Sequence, residues 1–182
     1  MPFVIAVAVL VGVLCLVDLA MTLAVTRRLK EHVKLIDALD EVVEMGGLFG
    51  KGGLAVGDRV GDFDVRTVDG AVVARDKLPD DTVVAFIAAE CATCRKKLPE
   101  LVSWASGQDR SRVLVVVDGH GGGHEQMVGS LSPVAQVVLE DGGGAVSAAF
   151  DVNSFPSFFL VGEGAVTGRV GDVARLPSGS AA

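Results

Sequence analysis

The chain has 182 residues, of which half are hydrophobic and 21% charged, with a formal net charge of −7. That hydrophobic fraction supports a packed core and excludes global disorder. The acidic balance, with no basic stripe, no Tyr and a single Trp, excludes a general nucleic-acid binder, which needs clustered Lys and Arg and aromatic stacking platforms.

Taken in chain order, Pro2 to Val25 is almost continuously apolar, interrupted by Asp18 and Thr22. A run of about 20 apolar residues is long enough to cross a bilayer. No Lys or Arg precedes it and it is long for a signal peptide, so residues 1–25 are expected to be an uncleaved transmembrane anchor rather than a cleaved leader. Cys15 within it reads as a small buried side chain. Arg27, Arg28, Lys30 and Lys34 follow the run, which by the positive-inside rule places the rest of the chain in the cytoplasm.

Residues 26–56 read as a juxtamembrane amphipathic helix, with Leu29, Val33, Ile36, Leu39 and Val43 at three- and four-residue spacing, and a Gly-rich linker. In that linker Lys51 is followed by Gly52, so the hydroxyl that a phosphate-binding loop uses to hold Mg²⁺ is missing.

A folded domain is expected over residues 57–174. Phe63 to Val73 alternates around Asp69-Gly70, a hairpin signal. Val83 to Ile87 and Val113 to Val117 read as buried strands, with a helix from the Cys91–Cys94 region to about Ala105 between them. Gln126 to Leu131 is predicted as a short helix, Val134 to Leu139 as a strand and Ala145 to Phe150 as a helix. Phe158 to Val161 and Ala165 to Val170 frame the turn Gly162-Glu163-Gly164. Glu140 and Asp141 read as a solvated turn. Strands alternating with helices indicate an α/β domain with a mixed sheet. Residues 175–182 are small and polar and are predicted to be a disordered tail.

Cys91 and Cys94 form a C-x-x-C pair at a strand-to-helix junction. The first sulfur of such a pair faces free backbone N–H groups and the positive end of the helix dipole, both of which favour thiolate. The second lies one turn inside, within reach of a mixed disulfide on the first. Cys91 is therefore the candidate nucleophile and Cys94 the candidate resolving thiol. The same spacing also makes half of many zinc sites, and soft thiolates suit Cu(I). His120 and His124 are the candidate further ligands for a zinc- or copper-binding module, although both also read as solvated loop residues. No compact second half of a zinc motif is present, so no metal or other cofactor is assigned beyond the cysteine pair. A peroxidase reading lacks the P-x-x-x-T/S-x-x-C segment before Cys91.

The run Phe86-Ile87-Ala88-Ala89-Glu90-Cys91-Ala92-Thr93-Cys94-Arg95-Lys96-Lys97-Leu98-Pro99, with Phe155-Pro156 far downstream, resembles the active site of the thioredoxin superfamily. Val56 to Phe63 with Asp69-Gly70 is similar to the opening segment of TlpA-, ResA- and peroxiredoxin-like domains. The anchor, basic flank, Gly linker and redoxin domain together most resemble the MauD-like branch, accessory proteins of methylamine dehydrogenase maturation. The resemblance covers roughly Gly57 to Gly171. It implies a thioredoxin-like fold, a central mixed β-sheet flanked by helices, behind an N-terminal transmembrane helix. It implies thiol–disulfide oxidoreductase activity on a disulfide-containing protein substrate, an unidentified thiol electron donor, and a cis Pro156 beside the cysteines that shapes the substrate groove. It also implies a membrane protein working outside the cytoplasm, against the positive-inside reading. The sequence departs from the family at Ala85, where a buried acid is common, at Glu90, where an aromatic residue is common, at Gly61, where proline is common, and in having little helix after Gly171.

Overall fold

The computed structural model describes residues 52–177 and Gly12. The proposed anchor, the juxtamembrane helix and most of the Gly-rich linker lie outside the described residues, and among those described no helix is long and apolar enough to cross a membrane.

A five-stranded mixed sheet organises the domain, in the order β5-β4-β3-β6-β7. Its strands are β3 (Thr82–Ala88), β4 (Val113–Asp118), β5 (Gln136–Glu140), β6 (Ser157–Gly162) and β7 (Ala165–Val170). β3, β4 and β5 run parallel, while β6 is antiparallel to β3 and β7 to β6. The short pair β1 (Asp64–Arg66) and β2 (Val72–Ala74) forms a separate antiparallel hairpin. Its turn is closed by Thr67 N–H to Ala71 and Gly70 N–H to Thr67, with Gly70 at φ 86°.

β3 is central and lacks the polar alternation of a half-exposed strand, because both of its faces are covered. Val83, Ala85 and Ile87 face one core with β4 residues Val113, Val115 and Val117. Over them lie α1 (Ala92–Ala105), through Cys94, Leu101 and Ala105, and α2 (Glu125–Leu131), through Met127 and Leu131. Val84 and Phe86 face the other core, with α3 (Ala145–Ala149) and the N-terminal segment, where Phe63, Phe86, Phe150 and Phe159 pack at centroid spacings of 5.3–6.3 Å. Strand alternation thus sorts one hydrophobic run into two cores.

Four expectations need correction. The fold does not begin at Gly57: Leu54 N–H donates to Phe150 O, and the Arg169 guanidinium donates to Gly52 O. β5 starts at Gln136 rather than Val134, because Val134 and Ala135 close the last turn of α2 through N–H bonds to Leu131 O. Glu140 is no solvated turn residue. It is buried and accepts the N–H groups of Val146 and Ser147 and the Ser147 hydroxyl. The tail does not begin at Arg175: Leu176 is buried, and Trp104 Nε1 donates to Pro177 O at 3.0 Å. Residues 178–182 lie outside the described residues.

The departure at Gly61 has a local cause. Its N–H donates to Ala149 O at 2.9 Å, and a Cβ at this position would stand 3.0 Å from the Ala149 Cα. A proline there would lose the donor as well as crowd α3.

Candidate active site

The cysteine pair lies at the carboxyl end of β3, beside the β4 connection on one side and the start of β6 on the other. In open α/β sheets the crevice at such a switch point is where reactive groups and ligands collect. β3 ends at Ala88, and the turn to α1 is pinned by three hydrogen bonds. Ala89 N–H donates to Asp118 O, Cys91 N–H donates to Ala88 O, and Arg95 Nη1 donates to Ala89 O at 2.7 Å.

This turn sets Cys91 as the N-cap of α1, with extended backbone. Its Sγ accepts the Cys94 N–H at 3.1 Å, one of the amides that the first turn of a helix leaves unpaired. On its other side the Cys91 thiol points at Phe155 O, 3.7 Å away. Cys91 is half-buried and so reachable by a substrate, whereas Cys94 is 1% exposed. Both are free thiols. Burial, and next the hydrogen-bonding Cys91 sulfur, push the Cys94 thiol up to about 12.

Phe155–Pro156 is a cis peptide, and it brings Phe155 O against Cys91. Cys91, Cys94 and the Phe155–Pro156 segment, 64 residues apart in the chain, therefore form one site. Pro156 itself is half-buried at the start of β6. α1 runs on through Pro99, its only proline.

Other sequence candidates fall around this centre. Glu90 is exposed and its carboxylate lies over Gly121, where a Cβ would meet Glu90 Oε1 at 2.0 Å. Gly121 sits at φ 85°, a backbone conformation that favours glycine. His120 is exposed and pairs with Asp141 at 3.3 Å. His124 is half-buried, with Nδ1 enclosed and unpartnered. Among the described residues no three His, Cys, Asp or Glu side chains gather in a way that would hold a metal ion.

Two site features escaped the sequence reading. In the sequence Arg95 is one of three consecutive basic residues after Cys94, with no sign that it clamps Ala89 O. The Phe155 carbonyl was not singled out, although its place before Pro156 was the available signal.

No family model matches the chain, and no curated protein matches it. Solved structures do. A thiol:disulfide interchange protein from Bacteroides sp. matches with a TM-score of 0.52 at 22% identity, covering 66% of this chain and 86% of that one. A candidate thioredoxin from Neisseria meningitidis matches with a TM-score of 0.51 at 22% identity, covering 62% and 79%. A hypothetical protein from Sinorhizobium meliloti matches with a TM-score of 0.51 at 18% identity, covering 66% and 73%. The fold is thioredoxin-like. The mixed sheet and flanking helices expected from the sequence are therefore present.

Proposed function

We propose that this chain is a thiol–disulfide oxidoreductase that reduces or isomerises disulfides of a partner protein through Cys91 and Cys94. The observation that carries the reading is the Cys91 sulfur itself: accessible, at the N-cap of α1, and held between the Cys94 amide and the Phe155 carbonyl next to cis-Pro156. The names of similar structures, a thiol:disulfide interchange protein among them, point the same way.

In the reductive direction the Cys91 thiolate attacks one sulfur of the substrate disulfide. An S–S bond forms to Cys91 while the substrate bond breaks and its other sulfur leaves. Cys94 then attacks Cys91 Sγ, releasing the second substrate thiol and leaving a Cys91–Cys94 disulfide. Two electrons pass from the protein to the substrate, and an external thiol donor restores them. Pro156 and Phe155 border the groove that receives an extended substrate segment.

The same proposal includes a lipid tether through residues 1–25 and the resemblance to the MauD-like branch. The side of the membrane that the domain faces is read by labelling Cys91 in intact cells with a membrane-impermeant maleimide. Labelling places it outside; protection until lysis places it in the cytoplasm.

The deciding experiment equilibrates the full-length chain in glutathione buffers of graded poise and traps thiols by alkylation. A two-electron interconversion of Cys91 and Cys94 supports the reading, with a potential near about −270 mV marking a reductase and one near about −120 mV an oxidant. Absence of any disulfide, or alkylation blocked until a chelator is added, overturns it in favour of metal binding.

A further inference from the structure

Resolution of the mixed disulfide requires Cys94 to lose a proton, and among the described residues no carboxylate, imidazole or amine belongs to the apolar cluster around it. Cys94 packs among Ala85, Ile87, Leu101 and Phe158 in an apolar cluster. Ala85, on the adjacent β3, is fully enclosed, and no residue from Thr82 to Ala88 titrates.

Among the described residues, every titratable group on the surrounding elements except His124 is engaged elsewhere or exposed. On α1, Arg95 holds Ala89 O, and Lys97 pairs with Glu100 and Asp172. At the end of β4, Asp118 Oδ1 accepts the N–H groups of His120 and Gly142. Asp172, in the turn after β7, also accepts Ala174 N–H. Ahead of α2, His124 Nδ1 is enclosed near Gly119 and Leu139, and Glu125 is exposed. Glu90 lies over Gly121. Among the described residues the titratable side chain that acts on Cys94 is Cys91, and in the mixed disulfide that sulfur is bonded to the substrate.

We propose that the base for Cys94 is the departing substrate sulfur, so that resolution is assisted by the substrate. Resting on the oxidoreductase reading, this inference specifies its second step. As the Cys94 sulfur bonds to Cys91 Sγ, the bond from Cys91 to the substrate sulfur breaks. The Cys94 proton passes to that sulfur, which leaves as a neutral thiol. Atoms and charge balance without hydroxide or a resident carboxylate. The proton moves in concert with the new S–S bond, which draws on the Cys94 electron pair, and an alkyl thiolate, with a conjugate pKa of about 8.5, accepts it far more readily than an aryl thiolate would. An adduct with an ordinary cysteine thiol therefore resolves without hydroxide, whereas one with a strongly acidic thiol depends on it.

The test mixes the reduced full-length chain with a cysteine-peptide disulfide in a quenched-flow device. Acid denaturant stops the reaction, and intact mass follows the Cys91 adduct as it forms and decays. The decay constant is expected to change by less than about twofold between about pH 6 and pH 9, since proton donor and acceptor travel together. With an aryl disulfide, whose leaving thiolate is a poor base, the decay is expected to climb by up to about tenfold per pH unit. A peptide adduct whose decay also climbs with pH overturns the proposal in favour of hydroxide. A decay that titrates near neutral or in the carboxylate range overturns it in favour of a resident base, with His124 the first candidate to replace. If the pair is never oxidised by either disulfide, the oxidoreductase reading itself fails, a result distinct from both of these.

Discussion

Cys94 ties the chemistry of the site to the stability of the domain. Its thiol ordinarily ionises near 9.0, and in the fold it is pushed up to about 12 by burial and by the Cys91 sulfur. The raised value means that the native state keeps its proton where the unfolded chain has lost it. The stabilisation is fully present below about pH 9 and is lost as pH rises toward about 12. The slope from this one group is at most about 1.4 kcal/mol per pH unit. Urea unfolding of the reduced protein at stepped alkaline pH should show it. The same series on Cys94→Ala should lack that component, and so should the protein with the Cys91–Cys94 pair oxidised, in which Cys94 has no proton to lose. Equal slopes in all three would mean that Cys94 is not held in its neutral form.

At the scale of elements, the local pattern was legible where one face of an element decides its fate. The continuous apolar runs of β3 and β4, the helix after Cys91 and the hairpin around Asp69-Gly70 were all readable, since burial on both faces, helix entry and turn chemistry each leave a mark in a few adjacent residues. What was not readable is contact between distant segments. Glu140, next to Asp141 and three glycines, has the composition of a loop, yet it is the cap of α3. Gly144, the N-cap residue, has no side chain to offer, so Glu140 reaches from the end of β5 to Val146 and Ser147. A Cβ on residue 144 would meet Glu140 Cδ at 2.4 Å, which is why glycine stands there. Replacing Glu140 by Ala takes the acceptor from three buried donors, two N–H groups and the Ser147 hydroxyl, and should cost about 2–3 kcal/mol in urea unfolding. Because α3 and the residue after it hold Gly61 and Leu54 through the carbonyls of Ala149 and Phe150, the amides of those two residues should exchange faster in the variant. A loss below about 0.5 kcal/mol would show that water replaces the carboxylate at no penalty.

For the domain as a whole, the open question was what covers α1 in a chain with little helix after Gly171. The structure answers with a strap. After β7, Asp172 accepts Lys97 from α1 and caps the turn Val173–Arg175 through Ala174 N–H. Val173 and Leu176 then enter the core that contains Cys94 and Leu101, and Pro177 O receives the Trp104 indole. A six-residue segment thus ties down α1 with two apolar anchors and two polar contacts, and α1 carries both cysteines. Burying a Val or Leu side chain contributes about 1.5–3 kcal/mol, so a full-length chain ended after Gly171 should lose roughly 3–5 kcal/mol. Ending it after Pro177 keeps all of the strap's contacts named above. Trp104 is the only tryptophan, so its emission reports the strap directly: it should shift to the red in the shorter chain and stay in place in the longer one. Leu176→Ala should reproduce about half of the loss while leaving the Trp104 bond intact, which separates the apolar anchors from the polar ones. If ending the chain after Gly171 left both the urea midpoint and the Trp104 emission unmoved, α1 would be held by its sheet-facing side alone.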